Sequence, residues 1–362
     1  MKKKLSILFL TLPVVLTLTT VMAVEKGLKN SINGFQKYAV ENSKQAVIDD
    51  LQIKALESAL EDAKHDANFQ PVPGTKIDML NNGIKKEVAP MEAEANLEYA
   101  KRSKEENIKK LKLDIYKAAL KKLLAEKQLE TEASKLKILE EKYSIFEARY
   151  KEGKITENDL NDVKYAMDTK EIDKNKAENN LEIANLELKR LLSLQLDGEE
   201  IVVEDKLDLD EWRPIDIEEA VKKAIENNIE IYKKTEALKA REKTMEITEK
   251  YYKEGNFSYD DNKVNLETAR IDLEDAKINL EVEVRNKYND LLTAKDNLEL
   301  ATQWQRIQDK KLEIAQAKYD QGLISREALL EQKEKCLDAE YQRYVSIHDY
   351  NIIKAEFDAL YK

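Results

Sequence analysis

Between Val264 and Tyr319 the chain runs without a glycine or a proline, and apolar residues return through it every three or four positions. Leu291, Ala294, Leu298, Ala301, Leu312, Ala315 and Tyr319 keep this 4-3 spacing, with Gln305 and Gln308 in the intervening slots. Upstream, Leu266, Leu273 and Leu280 are seven apart, with Ala269 and Ala276 between them. That periodicity puts all of them on one face of an α-helix. From Leu273 to Leu291 is a heptad plus eleven residues, a four-residue stutter that relaxes the left-handed supercoil. At 1.5 Å per residue the segment makes a rod of roughly 85 Å. A rod of that length cannot bury its stripe against itself, so it demands partner helices of comparable length. A second apolar set, Ile271, Ile278, Leu292, Leu300, Ile307 and Ile314, reads as a stripe beside the first. Two stripes are expected of a helix packed between two neighbours; a two-stranded coiled coil with one wide stripe is the alternative.

Composition agrees with helix throughout. Of the residues 37% are charged and 7% aromatic, and the whole chain has 8 Gly and 5 Pro, which is the make-up of long helices and coiled coils. The first residues, MKKKLSILFLTLPVVLTLTTVMA, read as an export signal peptide over 1–23, cut after Ala23; an uncleaved membrane anchor is the alternative. No other stretch is long and apolar enough to span a bilayer. Without those residues the chain has 58 basic and 72 acidic side chains, a net charge of −14. Such a balance, with no basic patch interleaved with aromatics, argues against nucleic-acid binding. The single cysteine, Cys336, has no internal partner for a disulfide and is expected to be a small packed residue.

The two halves of the chain resemble one another. AVENSKQAVIDD (39–50) resembles AIENNIEIYKK (224–234), EANLEYAKRSKEENIKKLKLDIYKAAL (94–120) resembles KVNLETARIDLEDAKINLEVEVRNKYNDLL (263–292), and residues 161–192 resemble 331–360. Each half therefore reads as a shorter helix, a connector, a long helix, a glycine break and a return helix. The fold class expected is all-α: a first helical-hairpin repeat over 24–196, an extended linker over 197–217 and a second repeat over 218–362. The linker carries Pro214 and the chain's one hint of period-two apolarity.

The glycine breaks are alike. RYKEGKITENDL (149–160) and KYDQGLISREALL (318–330) each place a glycine three residues after a tyrosine and a Thr or Ser three residues after the glycine. Gly153 and Gly322 stand where a left-handed helix C-cap belongs, and Thr156 and Ser325 where the next helix needs an N-cap. Each motif predicts a tight helix–turn–helix reversal. Nothing in the chain predicts catalysis or a cofactor. His65 and His348 have no ligand-type residues at metal-site spacing, SYDDN near Gly255 lacks the calcium-loop pattern, and no nucleophile elbow or phosphate loop is present.

In this order, and written twice behind a signal peptide, these segments resemble the outer membrane efflux protein family, the TolC-like channels. Tyr150-x-x-Gly153 with ITENDL and Tyr319-x-x-Gly322 with LISREALL are similar to the family's two periplasmic hairpin tips. The resemblance implies a homotrimer forming an α-helical tunnel, with the tips at its inner aperture, docking a membrane-fusion adaptor that couples it to an inner-membrane transporter. It carries over an aperture role to Asp159 and Tyr319, and adaptor docking to Tyr150, Gly153, Thr156, Asp159, Tyr319, Gly322 and Ser325. Ala328 and Ile324 stand where the second tip would match the aperture aspartate and the gating arginine, so an ionic latch of the family's kind is altered. The connectors NFQPVPGTKIDMLNNG (68–83) and GNFSYDDN (255–262) are too short for the family's paired membrane strands; the first is expected to hold at most one short extended piece. The expectation is thus a non-enzymatic efflux conduit without a barrel, exported to the cell envelope. A structural coiled-coil spacer or scaffold of the envelope is the alternative.

Overall fold

The structure is a computed structural model that describes residues 30–69, 74–211 and 213–362; the expected signal peptide lies outside them. All regular elements among the described residues are helices. In chain order they are α1 (Ile32–Glu41), α2 (Lys44–Ala67), α3 (Lys76–Gly83), α4 (Ala89–Lys151), α5 (Glu157–Leu191), α6 (Ile217–Asn227), α7 (Ile229–Tyr251), α8 (Phe257–Asp320) and α9 (Arg326–Tyr361). With 63 and 64 residues, α4 and α8 are rods of about 95 Å each. The repeat is present, but its opening helix is broken in two in each half. Ser43 caps α2 and Asn228 caps α7 through side-chain oxygens that accept from backbone N–H groups of the first turn, at the matching ENS and ENN positions.

The helices form a layer. In the half nearer the glycine breaks the neighbours run α5, α4, α9, α8; in the other half they run α2, α4, α7, α8. The two repeats meet along α4 and α9, where Lys117 pairs with Glu356 (2.6 Å), Lys135 with Asp338, and Lys142 with Glu331 (3.4 Å). Steps of 18 and 7 residues along α4 are matched by equal steps backward along α9, so the antiparallel register holds along the whole seam. Above that seam a central core gathers Ile115, Leu123, Leu188, Val284, Leu291, Tyr350 and Phe357, with Phe35 of α1 and Ala224 of α6.

The linker between Leu191 and Ile217 is a strap across this core. Ile201, Val203 and Leu207 are buried, which explains the period-two pattern. Its backbone polar groups are met by side chains rather than by a strand, as buried backbone requires. Lys189 donates to the carbonyls of Leu196 (3.1 Å) and Gly198 (2.6 Å), and Asn185 accepts from the Ile201 N–H (3.0 Å). Asn351 accepts from the Asp210 N–H (3.0 Å) and donates to the Asp208 carbonyl (2.8 Å).

One connector proves helical where at most a short extended piece was expected, and one expectation needs correction. The connector at 68–83 holds no extended piece from Lys76 onward. Thr75 and Asp78 form a reciprocal capping box that starts α3, and α3 passes into α4 through a π-helical segment, Ile84–Val88. Pro90 has no N–H for the carbonyl of Lys86, and the helix widens just before it. Most of the second apolar set of α8 also does not lie beside the first; Leu292, half-buried next to Leu291, is the member that does. Leu266, Leu273, Leu280, Leu291 and Leu298 are buried, whereas Ile271, Ile278, Leu300, Ile307 and Ile314 are exposed. Each exposed residue follows a position of the first stripe by five or two residues, which on a 3.6-residue helix is the opposite side. Val284, wholly buried, and Tyr288, packed on the core, fill the stutter.

Candidate functional site

Both glycine breaks fold as the motif predicts. Gly153 has φ +67° and Gly322 φ +71°. Lys154 N–H bonds the Arg149 carbonyl (2.9 Å) and Gly153 N–H that of Tyr150 (2.9 Å); Leu323 N–H bonds the Lys318 carbonyl (2.8 Å) and Gly322 N–H that of Tyr319 (2.8 Å). These paired bonds are those of a Schellman cap, which needs the left-handed residue that glycine supplies without strain. Open space surrounds the missing Cβ at both glycines, so the backbone conformation alone selects them.

The next helix starts differently at the two tips. Thr156 accepts from the Asp159 N–H (3.2 Å), while Asp159 accepts from both the Thr156 N–H (2.8 Å) and hydroxyl (2.7 Å). These bonds hold the Asp159 carboxyl below its ordinary range. Ser325 accepts from the Ala328 N–H (3.3 Å), and Ala328 returns nothing. Asp159, expected at an aperture, is thus engaged within its own tip as half of a capping box.

The structure joins the two tips through residues that the motifs did not single out. Arg149, in the last turn of α4, pairs with Glu327, in the first turn of α9. Glu141 accepts from Arg326 at 2.5 Å. The Arg326 guanidinium also lies over the half-buried Tyr319 ring, 5.4 Å from its centroid. A cation thus stands against Tyr319 two residues beyond Ile324. Burial opposes ionisation of Glu327, but its own N–H, Ser325 and Arg149 outweigh that and hold its carboxyl low. The Arg326 hydrogen bond does the same for Glu141. Arg149 and Arg326–Glu327 directly flank the two motifs, which is the signal in the sequence that could have found them. Tyr150, 41% exposed, and Lys154, with its side chain 68% exposed, face solvent.

Among the described residues no group of three or more His, Cys, Asp and Glu is placed to hold a metal ion. His65 is exposed and His348 bonds Asp349 at 2.9 Å. The Cys336 thiol donates to Asp309 at 2.9 Å, and burial, then Asp309, push its pKa up to about 12. A groove of about 650 Å³ between α8 and α9 has Leu300, Trp304 and Ile353 on its apolar side and Asp290, Gln342, Ser346 and Asp349 on its polar side.

Residues 254–344, which hold α8, the second tip and about half of α9, match the family model described as outer membrane efflux protein. No curated protein matches the chain by sequence. Among solved structures it is similar to the CmeC outer membrane channel of Campylobacter jejuni (12% identity, 92% of this chain and 85% of that one, TM-score 0.72). It is also similar to the outer membrane protein VceC of Vibrio cholerae (12% identity, 91% and 95%, TM-score 0.68) and the MtrE outer membrane channel of Neisseria gonorrhoeae (13% identity, 91% and 89%, TM-score 0.65). Residues 254–344 thus match the outer membrane efflux protein family, and over most of its length the chain shares the fold of these outer membrane channel proteins, with no strand among the described residues.

Proposed function

We propose that the chain is the conduit of an efflux system, not an enzyme: three copies close edge to edge into a helical tunnel whose tips dock an adaptor serving an inner-membrane transporter. One observation carries the reading. In the half nearer the tips the layer is bounded by α5 and α8, and both edge helices expose apolar residues on the side away from the core. On α5 these are Tyr165, Ile172 and Ile183; on α8 they are Leu300, Ile307 and Ile314. The bonds Lys121–Glu187 (2.7 Å), Lys117–Glu356 (2.6 Å) and Lys287–Glu356 (2.9 Å) fix the relative heights of α5, α4, α9 and α8. Counting along the helices from these anchors toward the tips brings Ile172 level with Ile307, and Tyr165 with Ile314, within about one helical turn. A head-to-tail contact between unlike edges closes into a ring when its rotation permits, and each pairing covers apolar surface that a lone protomer leaves wet.

The twin tips, linked by Arg149–Glu327, then all lie at one mouth of the tunnel. Their exposed Tyr150, Lys154 and Leu323 are the adaptor-facing surface in this reading, and the place of action is the cell envelope. An envelope spacer would share the rods but would have no use for an adaptor. Capture of the adaptor hairpin by immobilised protein tests this. Binding should require intact tips, whereas capture unaffected by tip changes, with helicity retained, overturns docking there.

A further inference from the structure

The two hairpins share one plan, yet they differ where α8 and α9 enclose the groove of about 650 Å³. Counting back from Gly153 and Gly322 along the unbroken helices sets each residue of the first hairpin against one of the second. In the first, side chains bridge α4 and α5. Glu132 pairs with Lys170 at 3.1 Å and with Lys135 at 3.3 Å, Asn180 donates to Gln128 at 3.2 Å, and Lys121 meets Glu187 at 2.7 Å. In the second, Ala301 and Ala339 stand in place of Glu132 and Lys170, Trp304 in place of Lys135, and Asp349 in place of Asn180. Two alanines cannot bridge the helices. Asp290 replaces Lys121 opposite Glu356, which turns instead to Lys117 and Lys287 at 2.6 and 2.9 Å. The space that ion pairs fill in one hairpin is hollow in the other.

The hollow has a sign and a flat wall. Among the described residues that line it, Asp290 and Asp349 carry charge and none is Lys or Arg. Asp349 also bonds the neighbouring His348 ring at 2.9 Å. Trp304 is half exposed, and the Lys311 ammonium stands 5.5 Å from its ring centroid at the tip-side end of the groove, the attraction of an indole face for a cation. A cavity of this size with an apolar bed and a few polar groups has the make-up of a small-molecule site. An anion there would face two carboxylates, and a neutral body would leave them without a counter-charge. Asp349 and Ile353 each lie two residues from Asn351, which holds the strap, so the groove opens on the opposite face of the layer.

We infer that the groove between α8 and α9 binds a small organic cation with an aromatic or branched apolar body. The body lies on Trp304, Leu300 and Ile353, and the charge faces Asp290 and Asp349. The site is complete within one protomer and stands apart from the conduit reading; of its lining, Leu300 alone is shared with the edge stripe of α8.

Titration of the full chain with tetraphenylphosphonium tests it, with tetraphenylborate, the same shape bearing the opposite charge, as control. Calorimetry gives the affinity, and the emission of Trp304 in a Trp212→Phe background gives the place. The expected result is saturable binding of one phosphonium per protomer with a shift in Trp304 emission, and no binding of the borate. Asp290→Asn and Asp349→Asn, both at exposed positions, should each weaken binding about fivefold, the upper scale of one exposed charge pair. Ala301→Leu, which fills the hollow, should abolish it with helicity unchanged. The proposal is overturned if the phosphonium does not saturate, if the borate binds as tightly, or if both Asn variants leave the affinity unchanged. Ile307→Asp, which interrupts the edge stripe outside the groove, should bind as the native chain does. Loss of binding in that variant would place the site between copies, and binding in that variant alone would mean that a second copy fills the native groove; either result overturns the proposal.

Discussion

At Gly153 and Gly322 the backbone occupies the left-handed region with nothing near the missing Cβ. Replacing either by Val forces a β-branched residue into that conformation, a cost of about 1–2 kcal/mol. Hydrogen exchange should quicken around the substituted tip alone, while the long helices keep their protection. Surface changes at the same tips separate docking from folding. Lys154→Glu leaves the Schellman bonds intact, and Ser325→Asp substitutes one good N-cap for another. Both should reduce adaptor capture with little change in melting temperature; if the tips are only turns, capture is unchanged. Cys336 offers an independent check of the packing. With its pKa near 12 from burial and Asp309, its modification by a disulfide reagent at pH 8 should be at least about tenfold slower than that of an unperturbed thiol. The tips were legible because a Tyr-x-x-Gly-x-Ile-(Thr/Ser) string encodes its own cap bonds. The Arg149–Glu327 and Glu141–Arg326 links were not, because they join residues far apart in the chain and depend on how α4 meets α9.

Among the elements, α8 was read from its seven-residue spacing almost to its ends, since a stripe of leucines and alanines without glycine admits only a helix. Most of its second stripe lies opposite the first, because neighbours in sequence are not neighbours on a helix surface. Offsets of five and two residues put Ile271 and Ile307 opposite the core. The helical start at Lys76 was missed although TKID repeats the Thr-x-x-Asp capping box of TEND at 156–159. The α4–α9 seam yields a pH prediction. Burial disfavours the charged form of Glu356, but hydrogen bonds from Lys117 and Lys287 (2.6 and 2.9 Å) outweigh it and hold its carboxyl below the ordinary value. A carboxyl lowered on folding stabilises above its unfolded pKa, near 4.3, and loses that contribution as pH falls through the lower folded value. Glu356→Gln should cost about 1–3 kcal/mol at neutral pH and flatten the acid limb of the melting-temperature profile. An unchanged acid limb would mean that other carboxylates govern it.

For the whole molecule, the repeats, the hairpins and the absence of a barrel pattern in the connectors were all readable, because each is a matter of spacing and length. How copies meet was not, since edge order is set by contacts across the full chain. The membrane relation follows from the same geometry. We propose that contact through the helical body is peripheral, in which case washing envelope membranes at alkaline pH should release the protein; retention would mean that a segment integrates into the bilayer. The central claim is that α5 and α8 are unlike edges that close on further copies of the same chain. Sedimentation equilibrium of the purified protein tests it most directly, together with Ile172→Asp and Ile307→Asp, each of which places a charge on one edge while leaving the core untouched. The expected result is three times the protomer mass for the native chain, and protomer mass with unchanged helicity for either variant. A native chain that sediments as a stable monomer, or variants that retain the trimer, would contradict the account.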